Sequence, residues 1–503
     1  MQEPHILFGP PGTGKTTQLL RIVRMRLLDG LTPEQICFIS FTRKAANEAR
    51  ERVIEQLKVD EERITWFRTL HSLAFQQCGL NKTDVMSLPD YIKICEMLGI
   101  SISYRAVNSD DGSFNGQTLG DRYFFAENMA RARMISLHEY WESIPDEDMH
   151  YQGLKQLSDT LANYKRTFKK LDFTDVIYRF IETGIVPPCQ VLIVDEAQDL
   201  SPLQWRMVQK MAAEIPEVFI AGDDDQAIFR WAGADVDHLI KMPGRQEVLQ
   251  QSFRVPRAVQ VIANTIAQRI QTRVKKDWHA RDCEGAVERV NDLSHIDMSR
   301  GTWLLLARNG YLLDQYVDQC VREGFMFDTN RESPVSKDSY LAIRDWKVLM
   351  TGAQIPAIAV KRIYDCMSAR TAVVHGFKKV VAALPDRKLL TLVELYKDYG
   401  LIAKGDWDEV LDKINQVERQ YFRLSFKTEG PQDAGPRIRI STIHGAKGGE
   451  ADNVVLFTDM AYRTWREFQK MPDDEHRVWY VAVTRTRETL HLITPQTKMC
   501  YDI

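Results

Sequence analysis

Short, mostly apolar runs alternate along this chain with longer stretches whose apolar residues recur at helical spacing. In the first half, Ile6-Leu7-Phe8, Ile36 to Thr42, Thr65 to Leu70, Val191 to Val194 and Val218 to Ala221 read as strands. In the second half, Thr302 to Arg308, Arg437 to Thr442, Val454 to Phe457 and Thr489 to Ile493 do the same. Helical patterns follow the first two strands at once, opening at Thr17 to Val23 and running from Arg43 to Leu57. Strand followed by helix, repeated, predicts an α/β fold with parallel, helix-covered sheets.

The texture changes twice. From about Ala74 to Gly184 it is mostly helical, interrupted by a polar stretch from Asn108 to Asp121, which predicts an inserted helical subdomain. Helical material fills Ser339 to Arg423, and the Gly- and Pro-containing stretch Lys427 to Pro436 reads as a linker back to a sheet. Two basic clusters in the first insert, Arg131 with Arg133 and Lys165-Arg166 with Lys169-Lys170, are read first as solvated helix faces and second as contacts for a phosphate backbone.

A chain of 503 residues exceeds a single core and predicts about three or four folding units. Its 44% hydrophobic and 27% charged residues are those of a globular, soluble protein. No apolar run approaches the roughly 20 residues that span a bilayer, and the start carries no secretory pattern, so a cytoplasmic location without membrane contact is expected. The eight cysteines are scattered without a C-x-x-C pair, which points to neither zinc nor an iron–sulfur cluster. A net charge of −3 excludes a uniformly basic coat but leaves room for a positive groove on a neutral body.

The chemistry begins at the first strand. Gly9-Pro10-Pro11-Gly12-Thr13-Gly14-Lys15-Thr16 fits the G-x-x-x-x-G-K-[ST] phosphate loop, with Thr17 opening the helix behind it. Glycines let successive N–H groups turn toward phosphate oxygens, Lys15 meets the terminal phosphates, and the Thr16 hydroxyl is placed to hold Mg²⁺. The strand at Val191 ends in Asp195-Glu196, an acidic pair that suits one carboxylate to Mg²⁺ and the other to the attacking water. The next strand ends in Gly222-Asp223-Asp224-Asp225-Gln226, where Gln226 is placed to sense the γ-phosphate, and the aromatic residues Phe229 and Trp231 that follow are placed to receive stacked bases. Phe41 and Thr42 stand at one strand end and His71 at another, where open α/β sheets bind ligands.

Nine segments in order complete the picture: GPPGTGKT at Gly9, FTRKAANEAR at Phe41, TLHSLA at Thr69, LDFTDVI at Leu171, VDEAQD at Val194, AGDDDQAIFRWAGA at Ala221, QSFR at Gln251, STIHGAKGGE at Ser441 and YVAVTRTRE at Tyr480. In this order they resemble the superfamily 1 helicases of the UvrD/Rep/PcrA type. The resemblance implies two RecA-like lobes, residues 1–73 with 185–250 and residues 251–332 with 430–503, carrying helical inserts at 74–184 and 333–429. It implies ATP and Mg²⁺ in the cleft, with Lys15, Asp195, Glu196 and Gln226 on one side and Arg254 and Arg485 as arginine fingers from the other. It places Phe253 against adenine and Glu450 near the nucleotide, and it assigns Phe41, Thr42, His71, Phe229, Trp231, Thr442 and His444 to single-stranded DNA.

The departures from the family pattern carry expectations too. Only Met1 to His5 precede the first strand, where the family has a glutamine-bearing adenine reader, so weak base selectivity is expected unless Gln2 caps the adenine edge. Trp231 is followed by Ala232 where the family has arginine, with Arg230 as the replacement cation. The second insert is short, and the sequence closes soon after the last motif, which predicts a reduced duplex-engaging subdomain and neither an interaction module nor a nuclease. Three readings stay open: a 3′-to-5′ translocase that unwinds duplex at single-strand junctions, with unidentified replication or repair partners; a translocase that strips proteins with little unwinding; and a nucleotide-gated DNA binder that does not hydrolyse.

Overall fold

The structure, a computed structural model, describes residues 3–103, 118–144, 148–330, 333–428 and 436–503. The first sheet is built from β1 (His5–Phe8), β2 (Ile36–Ser40), β3 (Phe67–Thr69), β4 (Val191–Asp195), β5 (Glu217–Gly222) and β6 (Arg245–Val248). Its order is β3-β2-β4-β5-β1-β6 with every pairing parallel, Ile36 beside Val191 and His5 beside Phe219. Buried residues cover both faces: Phe8, Leu192 and Val194 pack on one side, Leu7, Phe38 and Ile193 on the other.

The second sheet takes β7 (Ala286–Val290), β8 (Trp303–Ala307) and β9 (Phe327–Thr329). A short ladder of β10 (Ile355–Pro356) and β11 (Leu389–Leu390) lies in the second insert, and β12 (Ile438–Thr442), β13 (Ala451–Phe457) and β14 (Thr486–Ile493) complete the sheet. Its order is β7-β14-β13-β8-β12-β9, again parallel throughout. Two six-stranded parallel sheets, each interrupted by a long helical insertion, make an α/β protein of two RecA-like lobes.

The inserts have cores of their own, around Tyr123, Leu154 and Leu157 in the first and around Trp346, Ile363 and Trp407 in the second. Helix Phe173–Thr183 departs from the sequence expectation of an insert running to 184. It sends Val176, Ile177 and Phe180 into the core beneath β4, because apolar residues at i, i+1 and i+4 form a stripe that the sheet covers. The stretch from Asn108 toward Asp121 lies mostly outside the described residues, as does most of the linker at 427–436.

Both readings of the basic clusters are corrected at Arg131 and Lys165. Arg131 reaches Glu127 at 2.8 Å, Asp172 at 2.5 Å and Asp175 at 2.9 Å, and Lys165 reaches Asp172 at 2.8 Å and Asp175 at 2.7 Å. These cations neutralise the carboxylates that form the capping box of helix Phe173–Thr183. They tie the insert to the lobe instead of facing a ligand. Lys170 is likewise engaged, donating to the Thr83 carbonyl at 2.6 Å.

Candidate functional site: a nucleotide cleft and an aromatic face

The phosphate loop leaves β1 with Gly9 N–H bonded to the Gly222 carbonyl at 3.0 Å, so the loop is anchored to the tip of β5. Thr13 closes it, its hydroxyl donating to Pro10 O at 2.7 Å. Gly12 and Gly14 have φ of 72° and 75°, the left-handed region where a side chain is strained. Position 12 has a second constraint: a Cβ there would overlap Arg254 Cβ and Ser252 Oγ. The QSFR segment therefore lies directly on the loop, with Phe253 N–H bonded to Gly12 O at 2.8 Å and Ser252 Oγ to Pro11 O at 2.7 Å. The Phe253 ring lies over Gly14 and is 69% exposed, an apolar face open beside the phosphate loop.

Helix Lys15–Leu28 starts at the loop and presents Lys15 and Thr16 to the end of β4. Lys15 Nζ is 2.8 Å from Glu196 and 3.7 Å from Asp195, and Thr16 Oγ1 donates to Asp195 Oδ2 at 2.9 Å. Burial opposes the charge on Lys15, but Glu196 and then Asp195 hold it above the ordinary lysine range. Burial also works against ionised Glu196, yet the Lys15 and Lys447 charges keep it below the usual glutamate range. Asp195 is raised, by burial and by the neighbouring Glu196 charge. Glu196 itself sits at φ 57°, a left-handed position that turns its carboxylate back toward Lys15, and Gln198 Nε2 donates to it. Thr17 is exposed on the first turn of the helix.

The opposite wall comes from the second lobe. Arg485, 2% exposed, donates from Nη2 to Gln226 Oε1 at 2.7 Å, while Gln226 Nε2 donates to Asp223 Oδ2 at 2.7 Å. Burial, then the nearby Arg254 charge, pushes Arg485 down to about 9, so it stays protonated at neutral pH beside a like charge. Arg254 is ion-paired with Glu450, which also pairs with Arg487. Burial alone raises Glu450, and those two arginines bring it below its ordinary range. Glu450 thus stands behind an arginine in this structure, where the sequence reading set it beside the nucleotide.

Aromatic rings gather beyond Gln226. Phe229 is centred 5.9 Å from Phe41, 6.3 Å from His444 and 6.5 Å from Trp231. Trp231 lies 6.2 Å from His444 and 6.4 Å, nearly parallel, from Phe125 of the first insert. Exposure separates them: Trp231 is 36% exposed and Phe229 6%. Phe229 is buried in the core of the second lobe, against the expectation that it offers a free face to a base, because Lys447, Phe41 and His444 cover it. Arg230 is not a free replacement cation either; it pairs with Asp474 at 3.3 Å. Thr42 accepts the Ala45 N–H and Thr442 the Gly445 N–H, so each caps a turn while its hydroxyl proton remains a donor. His71 meets the exposed Phe173 edge-on at 6.0 Å. Burial, then Arg308 and Lys447, pushes His444 well below its usual value and keeps it neutral.

Residues 1–246 match the UvrD/REP helicase N-terminal domain, and residues 365–497 match the UvrD-like helicase C-terminal domain. The chain belongs to the UvrD/REP helicase family. It is 27% identical over 308 residues to the ATP-dependent DNA helicase PcrA of Bacillus subtilis, covering 56% of this chain and 40% of that one. It is 26% identical over 288 residues to DNA helicase II of Salmonella typhimurium, covering 53% and 39%, and 25% identical over 292 residues to DNA helicase II of Escherichia coli, with the same coverage. The matches span about two fifths of the length of these relatives.

Several residues that the sequence reading left without a role join the lobes of this UvrD/REP-type chain. Lys447 Nζ contacts both Asp199 oxygens at 2.7 and 2.6 Å and Gln226 O at 2.8 Å, and it lies 4.9 Å from the Phe229 ring centre. Lys276, fully buried, is surrounded by Asp223 at 3.1 Å, Asp225 at 2.9 Å and Asp224, and Arg273 clamps Asp225. The run of three aspartates was the available signal, since buried carboxylates call for cations somewhere in the chain. Gln2, which the sequence offers as a cap for an adenine edge, lies outside the described residues.

Proposed function

We propose that the chain is an ATP hydrolase that moves along single-stranded DNA in the 3′-to-5′ direction, unwinds duplex at junctions and works in the cytoplasm in replication, repair or recombination. The observation that carries this reading is the meeting of two half-sites: Lys15, Thr16, Asp195 and Glu196 on the first sheet face Arg254 and Arg485 from the second half of the chain. Arg254 and Arg485 repel one another on the same wall of the cleft, and a phosphoryl group set against both relieves that repulsion. Glu196, ionised and held by Lys15, is the group placed to orient and polarise water once the lysine is drawn to substrate phosphates.

Among the described residues, no group of three or more His, Cys, Asp or Glu side chains is arranged to hold a metal by itself. The Thr16 hydroxyl bonded to Asp195 nevertheless supplies two adjacent hard oxygens, which fits Mg²⁺ entering with the phosphates. Thr16 and Asp195 would hold the ion, and the chemistry it would supply there is neutralisation of charge on the transferred group. The DNA side of the proposal rests on Trp231 with Phe125, His71 with Phe173, and the half-buried hydroxyls of Thr42 and Thr442, a set suited to sequence-tolerant stacking and backbone contact. Among the described residues, no helix is long and apolar enough to cross a membrane.

The test is ATP turnover with and without oligothymidylate, followed by unwinding of 3′-tailed against 5′-tailed duplexes. DNA-stimulated turnover with unwinding of the 3′-tailed substrate is expected. Turnover without strand displacement points to the protein-stripping translocase, and nucleotide binding without turnover sinks the enzyme reading.

A further inference from the structure

The three aspartates that follow β5 are buried side by side, and buried carboxylates call for cations. Two come from the coil after helix Arg257–Gln268, outside all nine sequence motifs. Arg273 donates to Asp225 from Nε at 2.8 Å and from Nη2. Lys276 stands against all three aspartates, with Nζ 3.1 Å from Asp223 Oδ1, 2.9 Å from Asp225 Oδ2 and bonded to Asp224. Its side chain has no exposed surface, and Nζ lies 5.8 Å from the centre of the Phe8 ring at the root of the phosphate loop. Burial opposes the charge on Lys276, but Asp223, then Asp225 and Asp224, hold it above the ordinary lysine range.

The two oxygens of Asp223 do different things. Oδ1 faces Lys276 and accepts the Asp225 N–H at 3.2 Å, whereas Oδ2 accepts from Gln226 Nε2 at 2.7 Å. Asp224 and Asp225 turn back to the Val274 N–H and to Arg273, so Asp223 carries the link toward the cleft. An ionised carboxylate only accepts and a guanidinium only donates. A glutamine amide set between Asp223 and Arg485 therefore has one permitted direction, Nε2 toward the aspartate and Oε1 toward the arginine.

We propose that Lys276 is a positioning residue for ATP hydrolysis: acting through Asp223, it fixes the direction of the Gln226 amide and so the place from which Arg485 meets the transferred phosphoryl group. The inference rests on the hydrolase reading above, in which Arg485 serves the phosphates. By holding Oδ1, Lys276 keeps Oδ2 aimed at Gln226, and the amide stays tied on one side while its other side exchanges with the arginine. Asp223→Asn inverts this relay at constant size. The new oxygen turns to Lys276 and the Asp225 N–H, which both donate, and the new amide NH₂ meets Gln226. The Gln226 amide must then flip and present its own NH₂ to Arg485. Packing tolerates the change, because two carboxylates remain against the two cations Lys276 and Arg273.

Steady-state kcat and KM for ATP are measured on saturating oligothymidylate for wild type, Lys276→Met and Asp223→Asn, each also combined with Gln226→Ala, with melting temperatures alongside. Both single variants are expected to lower kcat about 10- to 100-fold, the effect of a small misplacement, with KM within about threefold of wild type. In the Gln226→Ala background neither should lower kcat by more than about a further twofold, because the group through which they act is gone. Should Lys276→Met fail to fold, since it strands buried carboxylates, Asp223→Asn carries the test. A kcat within about twofold of wild type in either folded variant overturns the proposal however far the melting temperature falls, because Lys276 is then structural only. So do an effect confined to KM and losses that multiply with that of Gln226→Ala. A wild type without DNA-stimulated turnover sinks the hydrolase reading itself, and this inference with it.

Discussion

Trp231 and Phe229 are two residues apart in sequence, yet replacing them should have opposite consequences. Truncating a fully buried Phe or Trp to Ala costs about 3–5 kcal/mol. Phe229, 6% exposed and covered by Phe41, His444 and Lys447, belongs in that range, whereas Trp231 has a third of its surface free and should lose about 2–3 kcal/mol. Stacking reverses the order. A base platform contributes about 1–3 kcal/mol per base, so Trp231→Ala should weaken single-stranded DNA roughly 5- to 150-fold with little dependence on sequence. Trp231→Leu sharpens the contrast, keeping most of the packing and none of the stacking. The assay is anisotropy on oligothymidylate and oligodeoxyadenylate at one salt concentration, with affinity expressed per folded molecule and melting followed in parallel. The reasoning fails if Trp231→Ala binds within about twofold of wild type while its melting temperature collapses. It also fails if Phe229→Ala proves the weaker DNA binder per folded molecule.

Glu196→Gln should bind ATP yet lose hydrolysis by about 10²-fold or more, since the water-polarising carboxylate is gone while Lys15 remains; turnover above a tenth of wild type means another residue does that work. Lys447→Met should cost about 3–5 kcal/mol by leaving Asp199 buried and unpaired, and adding Asp199→Asn should restore most of it; a denaturation cycle showing no coupling refutes the pairing. Burial raises Asp199 to about 6 despite Lys447, above its ordinary 3.8. The folded protein therefore takes up this proton first on acidification, and the contribution of Asp199 improves by about 3 kcal/mol as pH falls from about 6 to 3.8. Any melting advantage of Asp199→Asn over wild type at pH 7.5 should shrink across that window, and a constant difference refutes the raised value.

Central strands were legible in the sequence because burial on both faces leaves an uninterrupted apolar run, as in Val191 to Val194 and Val454 to Phe457. Of the strands without a sequence signal, Arg245–Val248, Ala286–Val290 and Phe327–Thr329 are edges of the two large sheets, and Ile355–Pro356 and Leu389–Leu390 form only a two-residue ladder. Arg245 to Glu247 are exposed and Phe327 to Thr329 number only three residues, so neither segment carries a hydrophobic pattern to read. Local motifs fared better than partners. The phosphate loop and the acidic pair announce themselves within eight residues, but nothing near Arg131 in sequence indicates that Asp172 and Asp175 will neutralise it, some forty residues away. The burial of Phe229 is illegible for a related reason: the sequence shows an aromatic beside a candidate DNA contact, and only the packing of the second lobe decides which ring stays open.

The segment from Asp223 to Trp231 connects the phosphate-loop side of the cleft to the aromatic face. It emerges from β5 of the first sheet, yet Ile228 and Phe229 are packed in the core of the second lobe with Ile443, Trp479 and Val483. Its start is held by Lys276 and Arg273, its middle by Arg485 and Lys447 on Gln226, and its end by the rings around Trp231. A segment pinned at three points has little freedom to absorb a displacement locally, because close-packed cores change by discrete rearrangement instead of gradual deformation. Within the proposed function, phosphates drawing Arg485 and Lys15 toward themselves must break or re-aim the Gln226 amide, which now bridges Asp223 and Arg485. That change has two routes onward, through Lys447 to the Phe229 ring and along the backbone to Trp231. Both end on the second lobe and on Trp231, the ring proposed to stack on DNA, so within that proposal the coupling free energy is set by how differently the two nucleotide states treat this one amide.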